Sequence, residues 1–179
     1  MKYSILVLLF FSGLLMAACS SDDDNGPSDE TSSVSFTVAG DIEAEKSGVA
    51  TASVTQVGQS NLFSIVMSNG ANVQQTFTLS FFSVPGSAPV DFPEPGDYAI
   101  GSLNQADYWL VYTDLTSGDP FVEYGLTYPV SGTLTITSST ENWLEGEFQF
   151  QAEGNEDTLG NPQGMIVVTE GEFRAVKER

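Results

Sequence analysis

LEGEFQFQAE, residues 144–153, is the stretch that decides the fold. Leu144, Gly146, Phe148, Phe150 and Ala152 alternate with Glu145, Glu147, Gln149, Gln151 and Glu153 without a break. Successive side chains of an extended strand point to opposite faces, whereas a helix brings positions three and four apart together. The alternation therefore predicts a strand with one dry face and one wet face. Strands of that kind belong to antiparallel sheets that are covered on one side only.

The same period recurs on either side of this strand. In TFTLSF, residues 76–81, Phe77, Leu79 and Phe81 oppose Thr76, Thr78 and Ser80. In TLTIT, residues 133–137, Leu134 and Ile136 oppose Thr133, Thr135 and Thr137. Further strands are expected at Val34–Val38, Val49–Val57, Leu62–Ser68, Tyr98–Ile100, Tyr108–Thr113, Phe121–Tyr124, Met165–Thr169 and Gly171–Val176. Asn69-Gly70 and Glu170-Gly171 suit tight hairpins, and Ser117-Gly118-Asp119-Pro120 suits a longer loop. Residues 84–96 carry Pro85, Pro89, Pro93 and Pro95. Proline donates no ladder hydrogen bond, so this segment reads as a surface crossover or a loop over one end of the sheets. The expectation is an all-β domain over residues 34–179: a single antiparallel β-sandwich or closed β-barrel of about ten strands.

Three of these elements also carry a resemblance. Gly132-Thr133-Leu134-Thr135-Ile136-Thr137, Leu144-Glu145-Gly146-Glu147-Phe148-Gln149-Phe150 and Ile166-Val167-Val168-Thr169-Glu170-Gly171-Glu172-Phe173 follow one another in the order G-x-L-x-I-T, hydrophobic-x-G-x-F-x-F, aliphatic-x-V-T-x-G-x-F. Together with Gly96-Asp97-Tyr98-Ala99-Ile100, this resembles a family of small Bacteroidetes-type lipoproteins of unknown function. The resemblance implies an all-β lipoprotein and supplies no catalytic residues.

The first 33 residues fit that implication from a different direction. Lys2 is followed by an almost wholly apolar run from Ile5 to Met16. A dozen residues suit the core of a signal peptide, whereas a membrane-spanning helix needs about 20. Met16-Ala17-Ala18-Cys19 resembles the lipobox of bacterial lipoproteins, with Met16 where Leu is usual. The resemblance implies cleavage before Cys19, diacylglycerol on its sulfur and acylation of the new amino group. Two or more acyl chains hold a protein at a membrane without a spanning segment. Residues 1–18 are thus expected to be signal peptide, and residues 19–33 a lipidated Cys19 with an acidic tether rich in Ser, Gly and Pro. The competing reading is an ordinary secretory signal with an unpaired cysteine. Asp22, Asp23 and Asp24 resemble the signal that sends such lipoproteins to the outer leaflet, and equally suit a solvated spacer. They do not alternate as calcium-loop ligands do. The expected location is the outer membrane, lipid-anchored and facing the cell exterior.

Charge and composition narrow the chemistry. The chain of 179 residues has 24 Asp+Glu against five Lys+Arg, a formal net charge of −19, and no His. Such a body repels phosphate backbones, so nucleic acid is not an expected partner. The absence of His removes the commonest general base and metal ligand. No Ser/His/Asp or Cys/His site can be built, the single Cys forms no internal disulfide, and there is no G-x-S-x-G or phosphate-binding glycine loop. No metal, no cofactor and no catalytic residue is expected.

Four groups of side chains are candidates for binding. Tyr108, Trp109 and Tyr112 lie in YWLVY, residues 108–112, which is apolar on both strand faces. The run is either buried between layers or presents an aromatic platform to a sugar or apolar ligand. Glu145, Glu147 and Glu153 share one strand face, and two such residues two positions apart stand roughly 7 Å from each other, within reach of a carboxylate-only glycoside-active enzyme; they also suit a plain acidic surface. Asp91, Glu94 and Asp97, with Asn155, Glu156 and Asp157, could supply oxygens to calcium or serve as soluble loops. The Thr and Ser rows are a hydroxyl array or ordinary exposed strand positions. The expected role is a non-catalytic binding or interaction module with a glycan or protein partner. The alternatives are a barrel that carries an apolar ligand and the carboxylate-only enzyme.

Overall fold

A computed structural model describes residues 31–58, 60–69, 76–83, 91–102, 106–115, 122–126, 128–155 and 164–178. The lipobox, Cys19 and the acid triplet lie outside the described residues, as do residues 84–90, residues 116–121 and the pair Glu156 and Asp157.

Ten strands form, and no helix occurs among the described residues. They are β1 (Ser33–Gly40), β2 (Ala44–Val57), β3 (Ser60–Ser68), β4 (Phe77–Ser83), β5 (Gly96–Gly101), β6 (Tyr108–Asp114), β7 (Val122–Gly125), β8 (Val130–Ser139), β9 (Trp143–Glu153) and β10 (Met165–Glu178). All belong to one sheet in the order β4-β3-β2-β1-β10-β9-β8-β5-β6-β7, and β4 also pairs with β6, so the sheet closes into a barrel-like ring. This is the all-β domain the alternation predicted. The ladders are antiparallel except where β10 runs beside β2 from Ala175↔Ala50 onward, and where Ile100 meets Tyr108.

The dry faces fill the interior. Phe148 and Phe150 of β9 turn inward, as do Phe77, Leu79 and Phe81 of β4. Phe36 of β1 sits among rings from other strands. Its centroid lies 5.3 Å from Phe77, 6.1 Å from Tyr112 and 5.6 Å from Phe148. Phe81 reaches Phe148 at 5.4 Å. These edge-to-face contacts come from strands far apart in the sheet, so side chains occupy the centre of the ring. Further along, Phe63 meets Phe92 and Tyr108 at 6.0 and 5.8 Å. Phe92 lies under the Lys177 ammonium, 4.6 Å from the ring centroid. The described end of the proline-rich segment, residues 91–95, thus covers one end of the ring, as the proline content anticipated.

Three local expectations are corrected. Met165–Thr169 and Gly171–Val176 are one strand, not two joined by a hairpin. Glu170 takes φ +54° and the β9–β10 register shifts between Val168 and Gly171, so Glu170-Gly171 forms a bulge that bends β10. β2 starts at Ala44 rather than Val49. Its early residues break the apolar alternation because Lys46 is turned inward. The connection from β3 to β4 runs from Asn69 to Thr76, longer than a two-residue Asn-Gly turn. Asn69 Oδ1 ties its ends together by accepting a 2.9 Å bond from Thr76 N–H.

Candidate functional site

The three aromatic residues singled out in the sequence do not form one platform. Tyr108 and Tyr112 are inward positions of β6, with 2% and 0% of their surfaces exposed. Both pack in the interior, the buried one of the two arrangements the apolar run left open. Trp109, between them, points outward. Its ring stacks on Phe82, its register partner on β4, at 4.4 Å and 21°. The indole Nε1 is buried and has no hydrogen-bond partner among the described residues.

The interior also holds charge. Lys46 Nζ lies 2.8 Å from Asp114 Oδ2, and the two side chains are 7% and 3% exposed. Tyr112 donates its hydroxyl to the same oxygen at 2.8 Å. Burial raises the Tyr112 phenol above the ordinary tyrosine value, and the bond to Asp114 raises it further. The pair crosses the interior beneath β3 and β4, from β2 to β6. Lysine and aspartate this deep are found only when paired.

Outside, the ring has two unlike walls. The first runs over β5, β8, β9, β10 and β1. Register aligns Asp97, Thr135, Glu147, Glu172 and Ser35 in one row across it. Thr135 Oγ1 donates to Asp97 Oδ1 at 2.7 Å. Glu147 and Glu172 stand directly opposite each other, and both are exposed. Beside them Arg174 pairs with Glu145 at 3.3 Å and lies 4.6 Å over the Trp143 ring. Open depressions follow this wall, one lined by Thr133, Thr135, Glu147, Gln149, Glu170 and Glu172.

Glu145, Glu147 and Glu153 do share the outer face of β9. However, they sit on the outside of a closed sheet in contact with water. Dividing acid and base roles between two carboxyls requires one to be desolvated, and nothing around Glu147 or Glu172 does that. Asp91, Glu94 and Asp97 are drawn to separate partners. Asp91 Oδ1 accepts from the Phe92 N–H at 2.8 Å and Asp97 Oδ1 from Thr135, while at Glu94 it is the backbone carbonyl that accepts from the Tyr98 hydroxyl, at 2.7 Å. Among the described residues no three acidic side chains converge as a metal set.

The second wall is formed by β2 from Ser47 onward, β3, β4 and β6. The residues on its outward side include Val49, Thr51 and Ser53 of β2, Ser64 and Val66 of β3, Thr78, Ser80 and Phe82 of β4, and Trp109, Val111 and Thr113 of β6, of which Ser80 and Thr113 are themselves buried among their neighbours. None is charged. Register lines up Val111, Ser80, Val66, Thr51 and Val176 across five strands, aliphatic alternating with hydroxyl. Ser53 and Ser64 share a 3.1 Å hydroxyl bond in the neighbouring row. Val49, Val57 and Val66 are 41%, 59% and 38% exposed.

Strand-by-strand reading missed this wall, although its signal is present in the sequence. From Ser47 to Val90 there is not one Asp, Glu, Lys or Arg, in a chain of net charge −19. Only the register shows that the outward half of that run forms one surface, completed by Trp109, Val111 and Thr113 from β6. Compared with protein families, with curated proteins and with solved structures, the chain matches none.

Proposed function

We propose that this chain is a lipoprotein of the outer membrane, held by lipid on Cys19 and facing the cell exterior. Its β domain acts as a non-catalytic binding or interaction module. The lipobox-like Met16-Ala17-Ala18-Cys19 and the acidic tether support the anchoring. The observation that carries the binding role is the uncharged wall. A soluble surface is ordinarily about 25–35% charged, and β2 from Ser47 onward, β3, β4 and β6 of this strongly acidic body present no charge outward. Exposed valines and a Trp109–Phe82 stack on such a wall make it the surface most readily dried by a partner.

The carrier reading draws less support. Its requirement is an interior lined by Trp109 and the phenylalanines, yet Trp109 is outside and the phenylalanines pack on one another. The carboxylate-only enzyme has its acids on the exterior, along open depressions in contact with water.

Two measurements test the proposal. Cys19→Ser should move the protein from the detergent phase to the aqueous phase; unchanged membrane association would refute the anchor. In mild detergent extracts the full chain should migrate as a complex larger than itself. Val66→Asp should return it to its own size, and Glu172→Gln should leave the complex intact. A native chain that keeps its own size even at the highest concentration reached refutes the binding role of this wall.

A further inference from the structure

We infer that the occupant of the uncharged wall is a second copy of this chain, docked wall to wall. The inference rests on the binding role proposed above and names its partner.

Charge selects the partner. Each copy carries a formal charge of −19, so two copies repel over most approaches. Contact through the wall of β8, β9 and β10 would bring Glu147 and Glu172 of each copy against carboxylates of the other. Like charges placed face to face cost several kcal/mol at an interface. Contact through β2, β3, β4 and β6 brings together Val49, Thr51, Val66 and Val111 with no ionised group among them; Glu178 and Glu123, the register partners of Ser53 and Thr113, stand only at the margins. A strongly cationic partner would gain more from the other wall, and an anionic partner would gain nothing here that another copy does not.

Geometry sets the mode and the strength. β3 is flanked by β2 and β4, and β4 by β3 and β6, so the middle of the wall offers no free backbone edge. Docking is by side chains, face against face, as in packed sheets. Val66 lies near the centre of the wall, so a twofold arrangement sets it beside its own counterpart. Strands about 4.8 Å apart, with outward residues about 7 Å apart along each, give roughly 400 Å² of wall per copy. A pair buries less than the ~1,200 Å² of a standard interface and falls in the weak, transient class. Anchoring both copies in one membrane raises their effective concentration and favours the pair.

The test uses the full chain in intact bacterial cells and a short bismaleimide. Cys19 is the only native cysteine, so the unaltered chain is the control. Val66→Cys should give a cross-linked band at twice the chain mass, and Glu172→Cys, equally accessible on the other wall, should give little. Adding Thr51→Asp to the Val66→Cys chain should lower the yield roughly tenfold, equivalent to about 1.4 kcal/mol. Thermal unfolding of each variant checks that it folds. Equal yields from Val66→Cys and Glu172→Cys reveal random collision and overturn the inference. A Val66→Cys adduct of any other mass also overturns it, while leaving the wall as a binding face for a different partner. No adduct at all, with the variant folded and anchored, overturns the inference, and the migration test above then decides the binding role.

Discussion

The two walls of this ring share one interior and differ on the outside. On β9 the inward residues are Leu144, Phe148 and Phe150, and on β4 they are Phe77, Leu79 and Phe81. Exchanged between strands, these residues would fill the same space. Outward, β9 carries Glu145, Glu147 and Glu153, while β4 carries Thr78, Ser80 and Phe82. Burial constrains the first set of positions: volume and apolarity decide them. Water does not constrain the second set in this way, since either composition would fold. The difference outside therefore reports what each wall meets, and the uncharged wall is where contact is least opposed.

The largest expected effect breaks both walls together. Phe148→Ala removes a ring that touches Phe36, Phe81 and Phe173 from three other strands. It should cost about 3–5 kcal/mol in chemical denaturation. Lys46→Met should cost about 3 kcal/mol by leaving Asp114 buried without its cation, and Lys46→Met with Asp114→Leu should recover most of that loss. If the double variant is no better than the single, the pair is not acting as a unit.

Alkaline pH separates interior from exterior. Tyr98, Tyr108, Tyr112 and Tyr124 all hold their phenol protons above the ordinary value of 10.0, with burial as the first cause. Above pH 10 the folded protein therefore binds more protons than the unfolded chain. Stability from these groups is complete below pH 10 and declines as pH rises beyond it. Circular dichroism melts should show an alkaline decline that Tyr112→Phe moves to higher pH. A profile flat to pH 12 would contradict the burial of these phenols.

The smallest effects sharpen the contrast between the walls. Glu172→Gln relieves a directly opposed like-charge pair with Glu147 and should stabilise the fold by about 0.2–1 kcal/mol, less in high salt. Val66→Asp should cost about 1 kcal/mol, from lost strand propensity and apolar contact, too little to unfold the domain, so its effect on association can be read on folded protein.

Much of the fold was legible in the sequence because water touches only one face of most strands. Alternation marked β4, β8 and β9 closely. It failed where a second constraint intervened. Lys46 interrupts the apolar pattern of β2 because its partner, Asp114, is far away in the sequence. Glu170-Gly171 looks like a turn because a bulge and a hairpin both accept a left-handed residue beside glycine. Ring closure through β4 and β6 depends on register, which local patterns do not carry. The site was less legible. YWLVY drew attention through its apolarity, but period two sends Tyr108 and Tyr112 inward and leaves Trp109 alone outside. The charge-free run from Ser47 to Val90 was the stronger signal, and it acquires meaning only when strands distant in sequence are laid side by side.

The central claim is that the uncharged wall exists for contact between copies, and one added charge on each wall tests it most directly. Sedimentation of the full chain in density-matched detergent, over rising concentration, would compare the native chain with Val66→Asp and with Thr137→Asp on the acidic wall. The mass should rise toward two copies for the native chain and for Thr137→Asp, and stay at one copy for Val66→Asp. A native chain that remains single throughout, or two variants that respond alike, would contradict it.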